Sequence, residues 1–424
     1  MFDFTSPLGG WSSRVRGAGR RHIVWCLVSI AAAWQILPMR GDADELDEPQ
    51  SIGVPRQLTR GEIEAGWIAL FDGESLFGWR AEGDADFRAE TGIVRADTGS
   101  APCLLRTTSQ FDDFEFVADF QGDVGTNSGI FVRTPPRPTD PTADCFEINI
   151  ATSELSPFPT GSIVGRSATR ESFDPQSWHR MTIRATAGNV VVTVDGQATV
   201  SIDQALPLGR GFIGLQYNSG PISFCNVFIR PLELRSETIP FEQEAWRIGP
   251  QPGALTLSHP DEMSFRLADG VGFVESRETY GDFILQLDAR TGAVATNSGL
   301  FFRCIPGSDL DGYESQIHHG TIDGDRSKPL DYGTGGIFRR SPARRVVSDD
   351  LTWFTKTLIV EGNHLAVWVD GLQVVDWTDE REPDPNPRRG ARREPGTLAL
   401  QLHDDETSVD FRRLRIRELE RRVR

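Results

Sequence analysis

Cysteine is scarce and poorly spaced for chemistry: the chain has five in 424 residues, and none forms a Cys-x-x-Cys pair. Zinc-ribbon and thioredoxin-type sites are thereby excluded. Cys26 lies inside an apolar run, away from the position a lipid anchor would need, and Cys103, Cys145, Cys225 and Cys304 read as buried free thiols. Sustained helical periodicity with caps is missing beyond the first 43 residues, which argues against a helical architecture. An excess of positive charge is also missing. With 61 acidic against 44 basic residues the net charge is -17, which repels phosphate backbones and anionic headgroups. Nucleic acid is therefore not an expected partner, and a neutral small molecule or glycan is the more natural one. The apolar run Ile23–Leu37, at 15 residues, is short for a membrane span.

That run follows Arg14, Arg16, Arg20 and Arg21, the layout of a signal peptide with a positive n-region and an apolar h-region. Residues 1–43 thus read as a signal peptide or, if uncleaved, an N-terminal membrane anchor through residues 23–37. The expected location is exported, periplasmic or cell-envelope. Residues 44–61, acidic and without periodicity, read as a flexible spacer.

What is present is a duplication. Asn127-Ser128-Gly129-Ile130-Phe131-Val132-Arg133 returns 170 residues later as Asn297-Ser298-Gly299-Leu300-Phe301-Phe302-Arg303. Thr160-Gly161-Ser162-Ile163 answers Thr334-Gly335-Gly336-Ile337, Trp178 answers Trp353, Val194-Asp195-Gly196 answers Val369-Asp370-Gly371, and Leu215-Gln216 answers Leu400-Gln401, all in order. A unit of about 175 residues is long enough for a complete core. The chain divides into a first domain over 62–233, a linker over 234–244 and a second domain over 245–419. Within each, short segments rich in β-branched and aromatic residues alternate with Gly, Pro, Asn and Asp, so both domains read as all-β antiparallel sandwiches or jelly rolls. The Asp-Gly pairs read as hairpin turns, and Trp178 and Trp353 as core residues. The insertion Asp379–Pro395, with four prolines, reads as an exposed loop, and its arginines 388–393 as a solvated charge run. The opening Leu70-Phe71-Asp72-Gly73 occurs only in the first copy, so the second lacks an edge strand or borrows one.

Strand alternation sorts the repeated positions into faces. Phe146, Ile148 and Ile150 share one side and Glu147 and Asn149 the other; Glu314, Gln316 and His318 take the polar side in the second copy. Gln216 and Asn218 correspond to Gln401 and His403. A carboxylate and amides at matching places suggest one polar groove per domain, with Arg133 and Arg303 at its rim, against the alternative of a plain solvent face. Asn297 opens its strand as a capped turn or a ligand contact. Histidines at 318, 319 and 403 have no counterpart in the first copy, which makes the second domain better equipped for proton transfer. A Glu and His cluster can hold a divalent metal, but the spacing matches no strong metal motif, and no cofactor is expected.

Taken together, Leu70-Phe71-Asp72-Gly73 with Gly78-Trp79, the paired Asn-Ser-Gly-x-Phe-x-Arg strings, the Phe146-Glu147-x-Asn149 and Tyr313-Glu314-x-Gln316 strands, Thr-Gly-x-Ile, the Asp-Gly turns and Val409-Asp410-Phe411-Arg412 resemble the 3-keto-disaccharide hydrolase domain family, twice over. The resemblance implies two tandem concanavalin-A-like jelly-roll β-sandwiches. It implies cleavage of a glycoside oxidised at C3, through removal of the C2 proton and elimination at C1. On that basis Glu314 or His318 is expected as base, His403 as acid, and Arg303 or Gln316 as the holder of the keto group. Asn297, Gln401, Arg133, Glu147, Asn149 and Gln216 are expected to line the substrate sites. The competing class is a non-catalytic glycan-binding or cell-surface protein.

Overall fold

A computed structural model describes residues 51–203, 208–234, 245–249, 256–261 and 264–419. The signal or anchor segment, most of the linker and the Arg-rich tail fall outside the described residues. Among those described, no helix is long and apolar enough to cross a membrane.

Both repeats are two-sheet antiparallel sandwiches, the concanavalin-A-like jelly roll. In the first, a front sheet of five strands runs in the order Trp79–Glu82, Cys103–Thr107, Phe212–Ser219, Asn127–Thr134, Phe146–Ala151. It faces an eight-stranded back sheet that includes Phe114–Gln121, His179–Thr186 and Ile222–Pro231. In the second, the front sheet runs Trp246–Ile248, Gly272–Tyr280, Gly396–Leu402, Ser298–Cys304, Tyr313–Ile317, against a seven-stranded back sheet. Alternate residues fill the space between sheets, as period-two sequence requires: Ile130, Val132, Phe146, Ile148 and Leu215 in one core, Leu300, Phe302, Tyr313, Ile317 and Leu400 in the other. The Asp-Gly turns have positive φ at both residues (51° and 77° at Asp195 and Gly196, 46° and 75° at Asp370 and Gly371), the geometry that closes a tight hairpin in register with strand twist.

Two expectations are corrected here, and a third, open between a missing and a borrowed strand, is decided for the missing one. The stretch read as a flexible spacer is laid, over its described residues, on the outer face of the first back sheet. Gly53 N donates to Asp119, Arg56 N to Asn226, and Asn226 Nδ2 to Val54 O. Trp178 and Trp353 are half-buried on the outside: a Cβ at Gly53 would lie 2.2 Å from the Trp178 ring, and Trp353 is sandwiched between Arg290 and Arg412. Finally, the second copy borrows no complete strand. It lacks a counterpart of Ile68–Ala69, which pairs with Ile222–Pro231 of the first domain, and the same segment reaches across to it: Ala69 N donates to Gly371 O and Trp368 Nε1 to Ala69 O. The short helix Arg60–Glu64, capped by Thr59 and Glu62 in a reciprocal box, sets Glu64 against Arg412 and Arg413 of the second domain. Ile284, Ile359, Ala366 and Trp368, on the outside of the second back sheet, are continuous with the first domain's core.

Candidate functional site

The outer face of each front sheet carries the repeated polar residues, and register shows how they meet. Gly129 stands opposite Asn149 on one side and Gln216 on the other, with Phe131 opposite Glu147. Gly299 stands opposite Gln316, and Phe301 lies between Glu314 and Ala399. The glycine of Asn-Ser-Gly is therefore the floor between flanking polar side chains, and its missing Cβ is what leaves them room. A Cβ on Gly299 would lie 2.7 Å from Glu314 Oε1 and 2.9 Å from its Cγ; one on Gly129 would lie 3.4 Å from Glu147 Cγ and 3.5 Å from Gln216 Oε1. Gly299→Ala is expected to keep the sandwich, because the carboxyl can swing away, but to displace Glu314. Any turnover that depends on Glu314 then falls by about 10-fold or more, read as kcat/KM alongside an unchanged circular dichroism spectrum.

Two features of this face point to a ligand. Gln216 Oε1 and Gln401 Oε1, at equivalent positions, are both buried without a protein partner, a rare condition for a polar atom. And Glu314 accepts no hydrogen bond among the described residues; burial pushes its carboxyl up to about 7, a rise that Asp331 adds to and the charges of Arg388, Lys356 and Arg339 oppose. Glu147 is likewise raised by burial, with Gln216 opposing.

The faces differ in what covers them. The first holds a cavity of about 390 Å³ lined by Glu82, Leu104, Phe131, Arg137 and Gln216. In the second, a cavity of only about 60 Å³ adjoins Glu314, bounded by Phe301, Phe338, Arg339, Pro387 and Arg388. The cover comes from the 379–395 insertion, whose arginines 388, 389 and 393 are exposed as its sequence suggests while Asp379, Pro387, Gly390 and Ala391 are buried beneath them. Asp379 is buried and binds Tyr313 Oη at 2.7 Å and Arg381 at 2.8 Å. Arg381 in turn donates to the carbonyls of Pro387 and Gly390. Arg388, read as part of a solvated charge run, donates to Leu310 O at 2.8 Å and reaches the Glu314 cavity.

Not all expected site residues converge. Arg133 and Arg303 are not at a rim: both are buried, with φ of 52° and 48°, a backbone twist that takes them off the groove's parity. Arg303 donates to the carbonyls of Gly281, Gly362 and Arg392 and to Asp282. Arg133 donates to those of Asp112, Ala187 and Leu208 and to Asp113. Asn149 is turned to its own loop, donating to Ser156 and Phe158 O. Asn297 and Gln316 both donate to Asp331, at 3.0 and 2.9 Å. His318 is folded back, its Nδ1 accepting from Gly320 N. His403 is half exposed beside Asp404; it lies two strands over and four residues along from Glu314, which sets their backbones about 16 Å apart. The structure therefore does not bring Glu314 and His403 together. His319 is a buried structural imidazole, pushed down to about 4 by burial and bonded to Thr334 and Ser348. Asp331 and Arg339, on turns without periodicity, were not legible as site residues; the Arg339 guanidinium lies over the Phe338 ring. Among the described residues no group of three or more His, Cys, Asp or Glu is placed to hold a metal.

The fold and its polar floors are those of an all-β double sandwich, and the family match makes it a carbohydrate-active protein. The chain belongs to the 3-keto-α-glucoside-1,2-lyase-like domain family, whose model matches it twice, at residues 66–230 and 243–417. Among solved structures it is similar to a Parabacteroides distasonis protein provisionally described as a glycosyl hydrolase (25% identity, 39% of this chain and 99% of that one, TM-score 0.33). A second such protein from the same organism has 18% identity, 42% and 100% coverage, and a TM-score of 0.36. A Bacillus licheniformis β-glucanase has 15% identity, 39% and 96% coverage, and a TM-score of 0.30. These scores are low, and the family match alone carries the assignment. No curated protein matches the chain.

Proposed function

We propose that this protein cleaves glycosides whose sugar is oxidised at C3, with Glu314 as the base. The observation that carries this reading is the Glu314 carboxyl: half-buried on the outer face of the front sheet, without a hydrogen bond among the described residues, and pushed up to about 7, where a carboxylate is basic enough to take a carbon-bound proton at neutral pH. A ketone at C3 acidifies the C2 proton. Glu314 removes it, the C–H electron pair becomes the enolate, and Arg339 and Arg388 supply positive charge for the enolate oxygen. The enolate then expels the C1 substituent, forming the C1=C2 bond. The departing oxygen takes a proton from solvent, and water added across the new bond completes hydrolysis. This route needs one base rather than the paired carboxylates of ordinary glycosidases, and Glu314 is a carboxylate on the outer face of the second front sheet that accepts no hydrogen bond among the described residues.

The first domain binds the saccharide in this reading. Its cavity of about 390 Å³ falls within the size range of small-molecule sites, and it has none of the second domain's charge beside its glutamate. The signal-like layout of residues 14–37 supports a periplasmic or cell-envelope location, which fractionation of the tagged chain tests. The test of activity is release of aglycone from a panel of 3-keto-glycosides beside their unoxidised parents. Release from the keto substrates alone supports elimination. Glycan binding without release from any substrate makes both faces lectin-like.

A further inference from the structure

The chain contains two lysines, Lys328 and Lys356, and one of them is inside a sandwich core. Lys356 lies on Phe354–Glu361 of the second back sheet, 1% exposed, opposite Leu287 and Val369. Its Nζ crosses to the front sheet and donates to the carbonyls of Ser315 and Gln316, both at 2.9 Å. Those carbonyls belong to the strand whose outer face carries Glu314 and Gln316. The first copy is the internal control. Met181 occupies the equivalent place, fully buried opposite Ala118 and Val194, and Ile148 stands where the second copy has Ser315. So one copy has a Met and Ile pair in its core and the other a Lys and Ser pair, whose Ser315 Oγ has no partner. An amine in an apolar core is costly, and the fold does not need it, since the first copy is built without one.

We propose that Lys356 is the positioning residue of the second domain's site: held to the Ser315 and Gln316 carbonyls, it fixes that strand and couples its own charge to the Glu314 carboxylate beyond it. The inference rests on Glu314 being the base of the proposed reaction, but the coupling is measurable without turnover. The pKa directions agree with the geometry. Burial pushes Lys356 down to about 7, with Glu314 opposing that fall, and Lys356 is among the charges that hold Glu314 down. The other groups facing Glu314 are Arg388, Asp331 and Arg339; on its far side Lys356 also faces His319, which senses Asp349, Asp350 and His318.

With only two lysines, protein labelled with ¹⁵N at lysine gives two side-chain signals, and Lys328, 62% exposed, is the internal reference. The Lys356 signal is expected to titrate near neutrality, and in Glu314→Gln its midpoint falls by about half a unit or more because the stabilising anion is gone. An unchanged midpoint overturns the coupling, whether or not the protein turns over any substrate. In Lys356→Met, and in the double variant K356M with S315I that recreates the first copy's pair, the fold is expected to persist. The acid limb of the kcat/KM profile then moves up by about one pH unit, as Glu314 loses its cation. A folded variant with an unshifted profile and unchanged kcat overturns the positioning role. If wild type shows no release at all, the proposed function fails and the titration alone decides the coupling.

Discussion

Glu314→Gln lowers aglycone release from 3-keto-glycosides by about 10³-fold, the loss typical of removing a general base, while glycan binding and fold are retained. The amide keeps the size of the carboxyl and sits over the same glycine floor, so the substitution removes proton uptake and little else. Single-turnover release alongside binding isotherms separates the two. Loss of binding in step with turnover would make Glu314 a ligand contact, and undiminished turnover would move the base elsewhere, with Glu147 the first alternative. The pH dependence carries a sign. The base must be unprotonated, so wild-type kcat/KM rises as pH passes up through about 7. Stability runs the other way: a carboxyl whose folded pKa is raised from 4.5 to about 7 contributes stability fully present below its unfolded value and lost as pH rises through the folded one. Lys356, depressed from 10.5 to about 7, makes stability recover between about 7 and 10.5. Because His319, depressed from 6.5 to about 4, adds an opposite slope below 6.5, the two terms are read as differences from wild type: Glu314→Gln is expected to remove a fall in stability between about 4.5 and 7, and Lys356→Met a rise between about 7 and 10.5.

Arg303→Met is expected to cost stability rather than binding. The guanidinium is fully buried, paired with Asp282 at 2.7 Å and bonded to three carbonyls from three separate segments. Removing it leaves those carbonyls without this donor and the Asp282 carboxylate without its cation, bonded still to Gly362 N, a loss of about 3–5 kcal/mol and a fall in melting temperature on the order of 10 °C. Arg133→Met should behave alike in the first domain. A variant that melts as wild type but no longer binds glycan would restore the arginine to the groove.

The arginines show where sequence reading stops. Period-two alternation located both front-sheet faces, because Glu147, Asn149, Glu314, Gln316, Gln216 and Gln401 lie on regular strand where parity holds. It failed at Arg133 and Arg303 because each has positive φ and the parity breaks with the backbone. His403 failed for a related reason, lying one residue past the end of Gly396–Leu402, where the sheet no longer sets direction. The 379–395 insertion looked solvated because its charges are many. In the fold much of it is solvated, Arg389 being 70% exposed, and what the charges hid is the buried Asp379, which pairs with Arg381 and ties the segment to the sandwich. Lys356 was invisible as a site residue because a lone lysine in an apolar strand reads as an exception, and its meaning appears only when the two copies are compared position by position.

The segment from Gly53 to Trp79 lies on both domains, bonded to Asp119 and Asn226 of one and to Gly371, Trp368 and Arg413 of the other. A ribosome makes it hundreds of residues before its partners Trp368, Gly371 and Arg413, so the contacts to the second repeat form only after that repeat has been made. The same arrangement has an evolutionary side. Once one copy's leading segment had come to serve both, neither repeat could be deleted or transplanted without exposing the other, and a gene duplication that began as redundancy became an obligate pair.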